Sequence, residues 1–185
     1  MDATPSTPNV HIRRALPEDA PDLRLLIDAS IRKLGGKFYT PEQVESSLAH
    51  VFGVDSTMIA DGTYFVVVAG SDIIGAGGWS FRLTPFGGDQ EHTVRDASVR
   101  VPGKDPAVIR AMYVHPDWAR RKIGHLIITT CEHAARAAGF QAYELVATLS
   151  GVTFYKNQGY HQVEEIAHRL PDGVLIDFVR MAKTS

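Results

Sequence analysis

Residues 114–124, VHPDWARRKIG, run directly into residues 125–139, HLIITTCEHAARAAG. An apolar strand ends at Val114. A short basic turn follows, and an amphipathic helix begins on its far side. That order gathers free backbone N–H groups, the positive end of a helix dipole and the cations Arg120, Arg121 and Lys122 at one spot. Such a spot binds a phosphate-bearing ligand.

Working outward, the turn is flanked by regular elements. Val108 to Val114 predicts a strand. Ile123 to Ala138 predicts a helix with Ile123, Leu126, Ile127, Thr130, Cys131, Ala134 and Ala138 on one side, stopped by Gly139. Cys131 therefore reads as buried packing. Upstream, Val10 to Arg14 reads as a strand. Leu23, Leu26, Ile27, Ile31 and Leu34 recur at helical spacing until Gly35-Gly36. A second helix starts at Thr40-Pro41-Glu42-Gln43, with the spacing of a capping box. Thr63 to Ala69 and Ile73 to Phe81 are strands around Gly70-Ser71-Asp72. Downstream come a strand (Tyr143 to Thr148), a short helix (Gly151 to Asn157) and a hairpin (Tyr160 to Ala167, Val174 to Met181) around Pro171-Asp172-Gly173. The predicted order is βααβββαβαββ, an α/β (α+β) fold with a mixed sheet flanked by helices. Residues 84 to 105 form a Gly-, Pro- and charge-rich excursion, and loops of that length are commonly functional.

The chain has 185 residues, enough for one well-buried domain, here placed at 10–185 behind a flexible tail at 1–9. It is 44% hydrophobic and 22% charged, with net charge −2. Nothing in that balance points to nucleic acid or an anionic membrane. One cysteine rules out an intrachain disulfide framework. The N-terminal MDATPSTPNV lacks signal-peptide features, no apolar run is long enough to span a bilayer, and a cytoplasmic location is expected. No His/Cys cluster has metal-ligand spacing, so no metal is expected.

The turn and its surroundings resemble the acyl-coenzyme A site of the GNAT superfamily of N-acetyltransferases. The family signature is Gln or Arg, two residues, Gly, one residue, then Gly or Ala. In register this chain reads Ala119-Arg120-Arg121-Lys122-Ile123-Gly124. Ala119 stands at the Gln/Arg position, Lys122 at the first Gly, and Gly124 is retained. MYVHPDW before the turn, the apolar helix after it and FYKNQGY downstream all fall where the family has them. The resemblance extends over roughly residues 10 to 182 and implies acetyl-CoA as acyl donor. It assigns cofactor contacts to Met112, Tyr113 and Val114, to backbone N–H groups of Arg120, Arg121, Lys122, Ile123, Gly124 and His125, and to Thr148 in place of a family Asn. Gly124 is expected to allow close approach of the pyrophosphate. Tyr155 matches the family tyrosine near the cofactor sulfur, where a phenol can protonate the departing thiolate.

Many members carry a Glu base on the fourth strand. Here that strand, AVIRAMYVHP, has no acid, and His115, Glu144, Asp89, Glu91 and His92 are the candidates. The resemblance places the amine acceptor, a small molecule or a peptide, near Phe38, Tyr39, Trp79 and Arg82. Phe86 to His92, with its Gly87-Gly88 pair, would be a lid. Homodimers are common in the family. Two other classes stay open on the sequence: a non-catalytic acyl-CoA-binding sensor, and an interaction module whose basic turn contacts a protein or another anion.

Overall fold

A run such as residues 63–69, apolar without polar alternation, suits a strand covered on both faces. In the computed structural model, which describes residues 9–84, 86–90 and 98–184, β2 (Tyr64–Ala69) is buried throughout. The elements follow the predicted order with one addition: β1 (Val10–Arg14), α1 (Ala20–Ser30), α2 (Pro41–His50), α3 (Ser56–Ala60), β2, β3 (Asp72–Ser80), β4 (Ala107–Val114), α4 (Ile123–Ala137), β5 (Ala142–Thr148), α5 (Val152–Asn157), β6 (His161–Arg169) and β7 (Leu175–Thr184). The five-residue α3 was not expected. Its signal is Asp55, whose carboxylate accepts from Met58 N at 3.0 Å. The expected flexible tail lies outside the described residues except for Asn9.

Local chemistry explains the helix boundaries. Thr40 Oγ1 accepts from Gln43 N at 3.2 Å, and Thr40 N donates to Gln43 Oε1 at 3.0 Å, completing the capping box. The first helix does not run regularly to Gly35. α1 gives way at Ile31–Gly35 to a widened π-type turn.

One seven-stranded sheet has the order β1-β2-β3-β4-β5-β7-β6. All neighbours are antiparallel except β4 and β5. Ile123, Ile127, Ile128 and Cys131 of α4 cover one face, against Val67, Ile109, Leu145 and Met181. Leu23 and Ile27 of α1 and Val44 of α2 cover the other, against Tyr64, Val66, Ile176 and Phe178. Glu132 of α4 fastens the first layer to the sheet. It accepts from Tyr160 Oη at 2.9 Å and from Lys183 Nζ at 2.7 Å.

α4 sits unusually close to the sheet because β3 presents Gly75 and Gly77 beneath it. A Cβ on Gly75 would lie 2.6 Å from Ile123 Cγ2, and one on Gly77 would collide with Met112 and Ile127. The glycines therefore set the height of the helix whose N-terminus forms the basic turn. Gly77→Val should destabilise the protein by about 1–3 kcal/mol through overpacking. Urea denaturation checks this, and an unchanged midpoint would show that α4 rides free of β3.

Candidate active site

β4 and β5 part company almost at once. They pair only at Ala107↔Tyr143 and Val108↔Glu144. Beyond that point β4 keeps β3 as its partner and opens away from β5. A bulge marks the change: β3 steps from Ala76 to Gly78 while β4 steps from Tyr113 back to Arg110. Within it Ala111 takes a left-handed φ of 54°, and its carbonyl accepts from Tyr64 Oη at 3.3 Å. The extra residue reverses the alternation of side chains. Ala107 and Ile109 face α4, and after the bulge Met112 and Val114 do so. Tyr113 faces the α1 and α2 side instead. Of the three residues expected to line the cofactor, Met112 and Val114 thus turn their side chains to the α4 face, and Tyr113 turns its ring to the other.

Backbone polarity follows from the same register. His115 N donates to Ile74 O at 2.9 Å. Antiparallel alternation then turns the Val114 N–H away from β3 and into the opening. There it meets Ser30 Oγ of α1 at 3.4 Å, a residue that no sequence signal marked.

The basic turn lies at the same end. Arg120 and Lys122 both adopt φ 64°, on either side of Arg121. Lys122 is the N-cap of α4 and provides no side-chain cap. The first turn of a helix carries N–H groups without intrahelical partners, and here they stay available to a ligand. The three cationic side chains are exposed. The Arg121 guanidinium lies 5.0 Å from the centroid of the Trp118 ring. The Lys122 side chain thus stands in solvent. At Gly124 a Cβ would meet the Phe154 ring of α5 at 3.1 Å. His125 Nδ1 is 2.8 Å from Gln158 Oε1, at the other end of α5. Both contacts hold α5 against α4. These features suit a pyrophosphate at the turn and an extended, amide-bearing arm along the open edge of β4. Among the described residues no group of three His, Cys, Asp or Glu is placed to hold a metal ion.

Tyr155 projects from α5, half-buried, with its ring 5.1 Å from Phe154 and 6.0 Å from Tyr160. Burial pushes its phenol well above the usual range, which keeps the proton on oxygen at neutral pH. Tyr113 is raised by burial too, opposed by Arg110 and reinforced by Tyr155. Thr148 ends β5 on the second lip, with Oγ1 3.0 Å from Ser150 Oγ.

The expected acceptor residues separate. Tyr39 reaches the end of β5, where its hydroxyl accepts from Leu149 N at 2.9 Å and donates to Asp177 O at 2.7 Å. Burial pushes its phenol up to about 12. Phe38 beside it is 54% exposed. Trp79 is core, 6% exposed, packed edge-on against Phe81 and Phe140. Arg82 pairs with Asp61 at 2.7 Å. Neither belongs to the opening. Of the candidate bases, Glu144 pairs with Arg100 at 2.6 Å, Asp89 accepts from Ser56 N and Oγ, and His115 Nδ1 accepts from Asp117 N at 3.3 Å. Glu91 and His92, and with them the end of the expected lid, lie outside the described residues.

The comparisons agree with this geometry. Residues 60–162, more than half of the chain, match the acetyltransferase (GNAT) domain family, and the chain belongs to that family. Its fold is similar to that of a GCN5-related N-acetyltransferase from Rhodopseudomonas palustris, at 23% identity and TM-score 0.69 over 100% of both chains. It is similar to the PaiA N-acetyltransferase from Thermoplasma acidophilum in complex with coenzyme A, at 16% identity and TM-score 0.62, over 96% of this chain and 99% of that one. The ribosomal-protein-S18-alanine N-acetyltransferase from Escherichia coli gives 13% identity and TM-score 0.58, over 95% and 94%. No curated protein matches the chain.

The left-handed residues carry a cost that glycine would not. Arg120→Gly and Lys122→Gly should each stabilise the fold by about 1 kcal/mol. Differential scanning calorimetry should show a melting temperature raised by roughly 2–4 °C for a chain of this size. A lowered melting temperature would show that contacts of these side chains outweigh the strain.

Proposed function

We propose that this chain is an acetyl-CoA-dependent N-acetyltransferase that brings an amine directly to the thioester in a ternary complex. The observation that carries the reading is the opening itself: β4 leaves β5 after two residue pairs and leads through the basic turn directly to the N-terminus of α4. Acetyl-CoA supplies an activated acetyl group. The turn from Arg120 to His125 holds its phosphates through N–H groups and charge. Met112, Val114 and Thr148 border its arm, and the Val114 N–H polarises the thioester carbonyl in place of its long bond to Ser30. The amine nitrogen bonds to the carbonyl carbon, the carbon–sulfur bond breaks, Tyr155 gives its proton to the thiolate, and the proton shed by the nitrogen passes to water and from water back to the Tyr155 phenolate. Rate comes largely from holding both substrates in line.

The acceptor enters from the α1 and α2 side, a small molecule or a peptide, with Tyr39 and Phe38 at the mouth. The second reading, a non-catalytic acyl-CoA sensor, draws on a specific observation. Glu144 and Asp89, two of the acids on offer as base, are both engaged in the fold. Amine turnover separates the two readings, since a sensor binds acetyl-CoA and transfers nothing.

Two outcomes are expected. Calorimetric titration should show acetyl-CoA binding that weakens with added salt, because the cations of the turn are exposed. Tyr155→Phe should still bind acetyl-CoA while kcat falls by about 10²–10⁴-fold. Full turnover in that variant would remove Tyr155 from the chemistry, and absence of acetyl-CoA binding to the unaltered protein would defeat the proposal.

A further inference from the structure

Arg110 interrupts the apolar run of β4 with a charge, and the structure shows what that charge holds. Its side chain is 5% exposed and pairs with Asp55, 1% exposed, at 2.8 Å. The guanidinium also donates to Thr84 O at 3.0 Å and to Gly87 O. A second set of bonds fixes the same stretch from the other side. Gly88 N donates to Val51 O and Asp89 N to Val54 O, both at 2.8 Å, while the Asp89 carboxylate accepts from Ser56. The first part of the β3–β4 excursion is thereby clamped to β4 and to the α2–α3 connection.

The clamp delivers Phe86 to a group of rings on the acceptor side. Phe52 lies between β4 and β7, 6.5 Å from Tyr113 and 6.1 Å from Phe178. Phe178 stands opposite Thr148 at the end of β5. Tyr113 and Phe178 are buried rings behind this wall, whereas Phe52 and Phe86 keep part of theirs exposed; Phe86 lies 5.7 Å from Phe178 and edge-on to His168 at 5.1 Å. Asp55, a carboxylate close enough to act on the Tyr113 phenol, is committed to Arg110 and α3. A wall of this kind favours one ammonium group on an apolar body, through ring faces and burial. It offers little to a second ammonium or a set of hydroxyls, whose desolvation would go uncompensated.

We infer that Phe86, positioned by Arg110, determines acceptor specificity, and that the site takes a monoamine on an apolar, ring-bearing body in preference to a polyamine or an aminoglycoside. This rests on the N-acetyltransferase reading above. The test measures initial rates with acetyl-CoA and phenethylamine, spermidine or kanamycin, on the unaltered protein, Phe86→Ala, Phe86→Trp and Arg110→Lys, with acetyl-CoA titrated calorimetrically into each. The unaltered protein should favour phenethylamine by about tenfold or more in kcat/KM. Phe86→Ala should lose most of that preference through KM, and Phe86→Trp should raise KM by crowding the ring. Arg110→Lys should raise the acceptor KM with acetyl-CoA binding retained, whereas a purely structural role would lower kcat and cofactor affinity together. Equal or better use of spermidine or kanamycin, or a ranking untouched by both Phe86 variants, overturns the inference alone. Acetyl-CoA binding without transfer to any amine overturns the transferase reading and the inference with it.

Discussion

The separation of β4 from β5 after two residue pairs is the constraint on which the rest of the molecule depends. A parallel pair that stayed together would bury its edge in a ladder and leave no site. Here an extra residue at Ala111 bends β4, and the buried Tyr64 hydroxyl holds the bent carbonyl from behind. The bend turns Met112 and Val114 toward α4 and Tyr113 toward α1 and α2. One irregularity thus divides the opening into two differently furnished sides, one with backbone donors and one with rings, which the proposed function gives to cofactor and acceptor respectively.

The helix that carries the basic turn is placed by complementary small residues. Gly75 and Gly77 let α4 settle on β3, and Gly124 lets α5 settle on α4. Tyr155 follows from that packing, since α5 is held to α4 through Phe154 and through His125 and Gln158. The turn keeps its left-handed geometry at Arg120 and at Lys122, the latter where the family pattern has glycine, so side-chain charge is gained at a cost in backbone strain. Positive charge at the end of a helix dipole compounds the field felt by an anion.

Much of this was legible in the chain. The strand–turn–helix of residues 108–138, the capping box at Thr40 and Gln43, and the element order all follow from local rules that tertiary packing did not override. What escaped were features that depend on register or on distant partners. Nothing in AVIRAMYV shows where a bulge falls, so the side on which the Tyr113 ring packs was not legible. Trp79 and Arg82 occupy strand positions where the family resemblance suggests a wall, yet Phe140 and Asp61, far off in sequence, claim them for core and surface. Arg110 did leave a signal, a charge inside an apolar strand, and its meaning lay in Asp55 and the loop it grips. Ser30, Phe52 and Phe178 carry no local mark, because only the fold brings them to the opening.

The account stands on the claim that the free edge of β4 and the first turn of α4 form one coenzyme-binding path. Amide hydrogen exchange with and without acetyl-CoA tests it most directly. Protection should rise at Met112 and Val114 and from Arg120 to His125 together, with β1 and β2 unchanged. Protection confined to the basic turn, or absent from both segments, would contradict it.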